Sequence, residues 1–150
     1  MQGTDVVFNV QVPAGTALQR FDLDALDDTT DMDLIVYRLS GKGGAPVAGW
    51  QSATGAADER VDLLAPAAGY YQVIASMYAG STRYDLTTFT VASGSGVGAF
   101  TVPASIDGVQ GEETTYRASW TGLAAGTDYL GLVRYGDGSF STIVSVKNQG

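Results

Sequence analysis

Tyr71-Gln-Val-Ile-Ala-Ser-Met-Tyr78 decides the fold. Tyr71, Val73, Ala75 and Met77 alternate with Gln72, Ile74, Ser76 and Tyr78, the period of two that marks a β-strand. Ala79-Gly-Ser81 then supplies a turn. The same period runs outward through the chain. Val6, Phe8, Val10 and Val12 alternate with Asp5, Val7, Asn9 and Gln11 until Pro13-Ala-Gly15 stops them. Phe21 and Leu23 alternate with Asp22 and Asp24, and Val61 and Leu63 form a short strand that Pro66 ends. Residues 84–91 make one more. Residues 32–39 are apolar apart from Asp33 and Arg38, so they read as a central strand covered on both faces. No segment long enough for a helix shows a capped 3.6-residue period. The expected fold class is all-β.

Ser93-Gly-Ser-Gly-Val-Gly98 breaks the composition and reads as a linker. It divides the chain into residues 1–92, expected as a jelly-roll-like β-sandwich, and residues 99–150, expected as a smaller fibronectin III/Ig-like β segment. Strand candidates in the latter are 99–102, 114–121, 129–135 and 140–146, with Gly136-Asp-Gly138 as a hairpin turn. Phe8, Val10, Leu34, Val36, Val73 and Ala75 are the expected core of the first part; Tyr116, Trp120 and Val133 are that of the second.

The chain of 150 residues contains neither His nor Cys. That removes every triad or dyad built on imidazole or thiol, every imidazole or thiolate metal site, and every disulfide framework. No Ser lies in a Gly-x-Ser-x-Gly elbow, and Gly94-Ser-Gly-Val-Gly98 precedes a strand rather than a phosphate-binding helix. The chain is therefore expected to be non-catalytic. Its net charge of -8 repels a phosphate backbone, so nucleic acid is not an expected partner. No apolar run is long enough to span a bilayer as a helix. Before the linker stand eleven acids and five bases, after it five and three, so the acidity is concentrated in the first part.

Six of those acids, Asp22, Asp24, Asp27, Asp28, Asp31 and Asp33, fall within twelve residues. Carboxylates this close repel unless a cation or solvent screens them, and Ca2+ takes six to eight oxygens from such loops. Asp27, Asp28, Asp31 and Asp33 are the candidate ligands, with Asp58 and Glu59 as contributors from elsewhere. The EF-hand pattern is absent. A solvated acidic turn is the competing reading, and Arg60 is expected in a structural ion pair with one of the acids. Trp50, Tyr70, Tyr71, Tyr78 and Tyr84 are candidates for a stacking surface toward sugar or extended peptide, though alternation sends about half of them to the core.

Asp31-Met-Asp-Leu-Ile-Val-Tyr37, then Asp58-Glu-Arg-Val-Asp-Leu63, then Pro66-Ala-Ala-Gly-Tyr-Tyr-Gln-Val73 resembles the bacterial pre-peptidase C-terminal domain over residues 5–92. Trp120-Thr-Gly-Leu-Ala-Ala-Gly-Thr-Asp-Tyr-Leu-Gly-Leu-Val133 is similar to the corner of fibronectin type III-like modules, in which a Tyr hydroxyl, here Tyr129, bonds back to the chain a few residues upstream. The tandem resembles the C-terminal extension of secreted subtilisin-like (S8 family) serine proteases. The resemblance implies an extracellular accessory domain, partnered by the parent catalytic domain and by an extracellular protein or polysaccharide substrate. It also implies an association with Ca2+. A self-standing module that binds carbohydrate or collagen is the alternative.

Overall fold

The computed structural model describes residues 5–94 and 96–149, in two units, the first ending at Ser93 and the second starting at Gly94. The first unit is a jelly-roll-like β-sandwich of β1 (Val6–Val12), β2 (Thr16–Ala25), β3 (Asp31–Leu39), β4 (Pro46–Ser52), β5 (Glu59–Leu64), β6 (Gly69–Ala79) and β7 (Tyr84–Ala92). One sheet has the order β1-β6-β3-β4 and the other β5-β2-β7. Every ladder is antiparallel.

Strand alternation builds the core between the sheets. Met32, Leu34 and Val36 of β3 and Tyr71, Val73 and Ala75 of β6 are buried against Phe21, Leu23 and Ala25 of β2 and Val61 and Leu63 of β5. Each large apolar side chain so removed from water contributes about 1.5–3 kcal/mol. Phe8 and Val10, expected in the core, are half-buried at its margin.

β3 is central in its sheet, between β6 and β4, but it is not covered on both faces. Asp33, Ile35 and Tyr37 turn outward and are half-buried. β4 lacks any period of two and was not foreseen. Its Gly49 sits under the Tyr37 ring, where a Cβ would stand 3.0 Å from two ring carbons.

The second unit is the smaller one, an all-β segment of two two-stranded antiparallel sheets. β8 (Ala99–Thr101) pairs with β9 (Ser119–Thr121), and β10 (Thr127–Tyr135) with β11 (Phe140–Asn148). Gly136 and Gly138 take positive φ in the β10–β11 turn, and Gly138 N–H donates to the Tyr135 carbonyl at 2.8 Å. The expected corner forms, with Ala124 N–H donating to Tyr129 Oη at 2.9 Å. Strand 114–121 shrinks to three residues because β9 has only the three residues of β8 to pair with. Val133 is buried as expected, whereas Trp120 is 43% exposed on that short strand and Tyr116 is half-buried.

Candidate functional site

The acidic run is not one object. Asp24 lies on β2, and Asp22 faces the neighbouring strand, where Arg60 binds it at 2.8 and 3.1 Å. That is the structural ion pair expected of Arg60. Asp27 opens the loop after β2, and its carboxylate accepts from Thr29 N–H at 3.0 Å and Thr29 Oγ1 at 2.7 Å. The Thr29 hydroxyl, then its N–H, hold the Asp27 carboxyl below the usual range. Thr30, buried beneath the loop, donates through N–H and hydroxyl to the Asp27 carbonyl. Asp28 is exposed. Asp58 accepts from Ala25 N–H at 3.0 Å and so fastens the end of β2.

Glu59 is the most enclosed of the acids, 3% exposed, because it shares the inward parity of Val61 and Leu63 on β5. Ser52 Oγ donates to one carboxylate oxygen; Thr54 N–H at 2.7 Å and Thr54 Oγ1 at 2.5 Å donate to the other. Burial pushes the carboxyl up, but these donors together outweigh it and hold Glu59 below its ordinary value. The bracket ties the end of β4 to the start of β5 across the two sheets.

Asp31 and Asp33 remain, on the outward side of β3. Asp31 Oδ1 is buried and has no hydrogen-bond partner among the described residues. Burial, then the charges of Asp31 and Glu59, push the Asp33 carboxyl up. Among the described residues no group of three or more acidic side chains is placed to hold a metal. The six sequence candidates thus divide. Asp27, Asp58 and Glu59 serve the chain's own donors, Asp28 points to water, and Asp31 and Asp33 form an uncompensated pair.

The aromatic candidates divide as well. Tyr71 is buried, Tyr84 packs against the core, Tyr70 is half-buried and Tyr78 is 72% exposed. Register places Asn9, Gln72, Tyr37 and Gly49 in one row across the outer face of the four-stranded sheet, and Val7, Ile74, Ile35 and Gln51 in the next. These rows are uncharged, in a unit otherwise rich in acids.

Beneath the same sheet a cleft of about 330 Å³ opens at the β4 edge, lined by Arg38, Trp50 and Tyr71 and by the chain leaving β5. Trp50 stacks on Tyr71, with ring centroids 6.2 Å apart and planes at 25°. The Tyr71 hydroxyl donates to the Ala67 carbonyl at 2.8 Å. Ala65, at φ +44°, donates its N–H to the Ala17 carbonyl at 2.8 Å. The sequence reading passed over this cleft; the available signal was the parity of Arg38, which matches that of Leu34 and Val36.

Compared with known proteins, the chain matches no family model and no curated sequence. Among the described residues no helix is long and apolar enough to cross a membrane.

Proposed function

We propose that the chain is a non-catalytic accessory module of an exported subtilisin-like serine endopeptidase, contributing stability, secretion or substrate anchoring to a parent catalytic domain. The supporting observation is where the three resembling blocks lie. Asp31-Met-Asp-Leu-Ile-Val-Tyr37 is β3, Pro66-Ala-Ala-Gly-Tyr-Tyr-Gln-Val73 leads into β6 beside it, and Glu59, Val61 and Leu63 close the opposite side of one core. With no His in the chain, the base of a serine-protease triad would have to come from the parent. The encoding gene tests this reading. A Gly-Thr-Ser-x-Ala nucleophile segment in the same reading frame supports it, and a complete frame without one overturns it.

A structural Ca2+ belongs to the same reading. Asp31, with its buried unpartnered oxygen, and Asp33, crowded by like charge, are the residues that would hold it; carbonyls and water would supply the other oxygens. At about ten times its dissociation constant a ligand of the native state adds about 1.4 kcal/mol. For a unit of this size that raises the melting temperature by about 6–11 °C. Melting curves with Ca2+, with EDTA and with NaCl of equal ionic strength provide the check. Curves that coincide, or a shift that NaCl reproduces, sink the cation.

The second reading is a module that binds polysaccharide or collagen, favoured by the uncharged rows around Tyr37 and Gln72 on the outer face. Retention of the chain on insoluble cellulose, chitin or collagen, lost on Tyr37→Ala, would favour it. No retention on any of these matrices leaves the accessory reading alone.

A further inference from the structure

We infer that the cleft at the β4 edge is a receptor for the C-terminal carboxylate of a peptide whose last residue is apolar or aromatic. The inference does not depend on the accessory-module reading. The cleft, about 330 Å³, lies in the size range of small-ligand sites and suits one or two residues.

Its chemistry is set by Arg38. The guanidinium of Arg60 is bound by Asp22, and Arg20 is gripped by Asp62 at 2.7 and 2.8 Å. Arg38 has no hydrogen-bond or ion-pair partner among the described residues. Asp62 also lines the cleft, but both of its oxygens are already held by Arg20. An arginine presents a planar fork of donors that matches a carboxylate.

The rest of the cleft is suited to the group that bears the carboxylate. Trp50 backs one ring face onto Tyr71, yet is 38% exposed. Tyr71 is fixed in turn by the Ala67 carbonyl. Leu64, exposed, and Pro66 add an apolar wall. A flat aromatic platform beside an apolar wall takes up a hydrophobic side chain without first having to order itself. β4 is also the last strand of its sheet, so its outer backbone groups are open to residues preceding the terminus.

Charge decides between a peptide end and an acidic polysaccharide. The first part of the chain has eleven acids against five bases, so a polyanion is repelled along its length. A single terminal carboxylate on an apolar residue meets the arginine, and the one acid of the lining, Asp62, is already neutralised by Arg20.

The experiment uses the full chain with Trp120→Phe, which leaves Trp50 as the sole tryptophan. N-acetyl-leucyl-phenylalanine and its C-terminal amide are titrated, following Trp50 emission and the Trp50 indole N–H resonance. The acid is expected to give a saturable change and the amide a dissociation constant at least about tenfold higher, the lower end of what a charge-assisted hydrogen bond supplies. Arg38→Gln should abolish that preference, with the melting temperature recorded as a control. Arg38→Lys, which keeps the charge but loses the fork, should retain part of it. Equal binding of acid and amide to the parent chain, or no saturation below about 10 mM, overturns the inference. So does a preference that survives in a folded Arg38→Gln chain. Tighter binding of oligogalacturonate than of the peptide would replace the peptide with a sugar.

Discussion

Replacing Glu59 by Gln isolates the charge in the bracket that joins β4 to β5. The variant keeps the length and shape of the side chain, so the core beneath it is not opened. What it loses is charge assistance in the bonds from Thr54 N–H and Thr54 Oγ1, which the amide oxygen still accepts, while the bond with Ser52 Oγ must reverse so that the amide NH2 donates to the hydroxyl. Hydrogen bonds to a charged group contribute about 1.5–3 kcal/mol each and neutral ones about 0.5–1.5. The three differences do not add fully, and a neutral amide costs less to bury, so the expected net loss is about 2 kcal/mol. In a unit of this size that lowers the melting temperature by about 8–16 °C. Glu59→Ala should cost more, because it strands the buried donors as well. The pH dependence gives the sharper check. The folded carboxyl lies below its ordinary value, so its contribution is complete above the unfolded pKa and lost as pH falls through the folded one. Asp33, held high by burial and by the charges of Asp31 and Glu59, works with the opposite sign; Glu59→Gln removes the Glu59 share of that repulsion, which offsets part of the deficit while Asp33 is ionised. Urea unfolding read by Trp50 emission in the Trp120→Phe background should show the full deficit near neutral pH and a deficit that shrinks as the pH is taken down through and below the ordinary carboxylate range. A variant as stable as its parent at neutral pH, or a deficit constant across that range, refutes the argument.

Tyr71→Phe removes only the hydroxyl that donates to the Ala67 carbonyl, and should cost about 1 kcal/mol in the same urea titration. Asp31→Asn removes a like charge beside Asp33 and replaces a carboxylate whose buried oxygen lacks a partner. In EDTA it should stabilise the unit by up to about 1 kcal/mol and bring the Asp33 carboxyl back toward its ordinary value in an NMR titration. Gly80→Ala should destabilise by about 1–3 kcal/mol, because Gly80 has φ +90° and a Cβ there would stand 2.8 Å from Thr30 Cγ2, pressing on the residue that anchors the acidic loop.

Much of this fold was legible because period-two alternation and inter-sheet burial are one phenomenon seen twice. Val73 and Ala75 could be read as core from spacing, Leu34 and Val36 from their place in an apolar run, and all four are buried. β4 escaped because a strand at a sheet edge need not alternate, and Gly49 is explained only by the Tyr37 ring above it. Trp120 was expected in the core as part of a strand over 114–121, but that strand has only three residues opposite it. For the acids, sequence supplied proximity but not direction. Thr29 and Thr30, inside the acidic run itself, were the local sign that Asp27 serves the turn.

The same parity argument separates a structural charge from a functional one. Glu59 and Arg38 both occupy inward-facing positions on strands whose other inward residues are apolar. A charge directed toward a core must be matched or left at an opening, since burying it unpaired is far too costly. Glu59 is matched by Ser52 and Thr54, and the chain closes over it. At the other end of β5 the guanidinium of Arg38 meets no acceptor, and the sandwich stays open beside it as a cleft floored by stacked Trp50 and Tyr71. Had stability alone set that end, an apolar residue at position 38 would have extended the row of Leu34 and Val36 and sealed the gap. An open mouth, an unmatched donor fork and a half-exposed indole together are the arrangement that an external carboxylate completes.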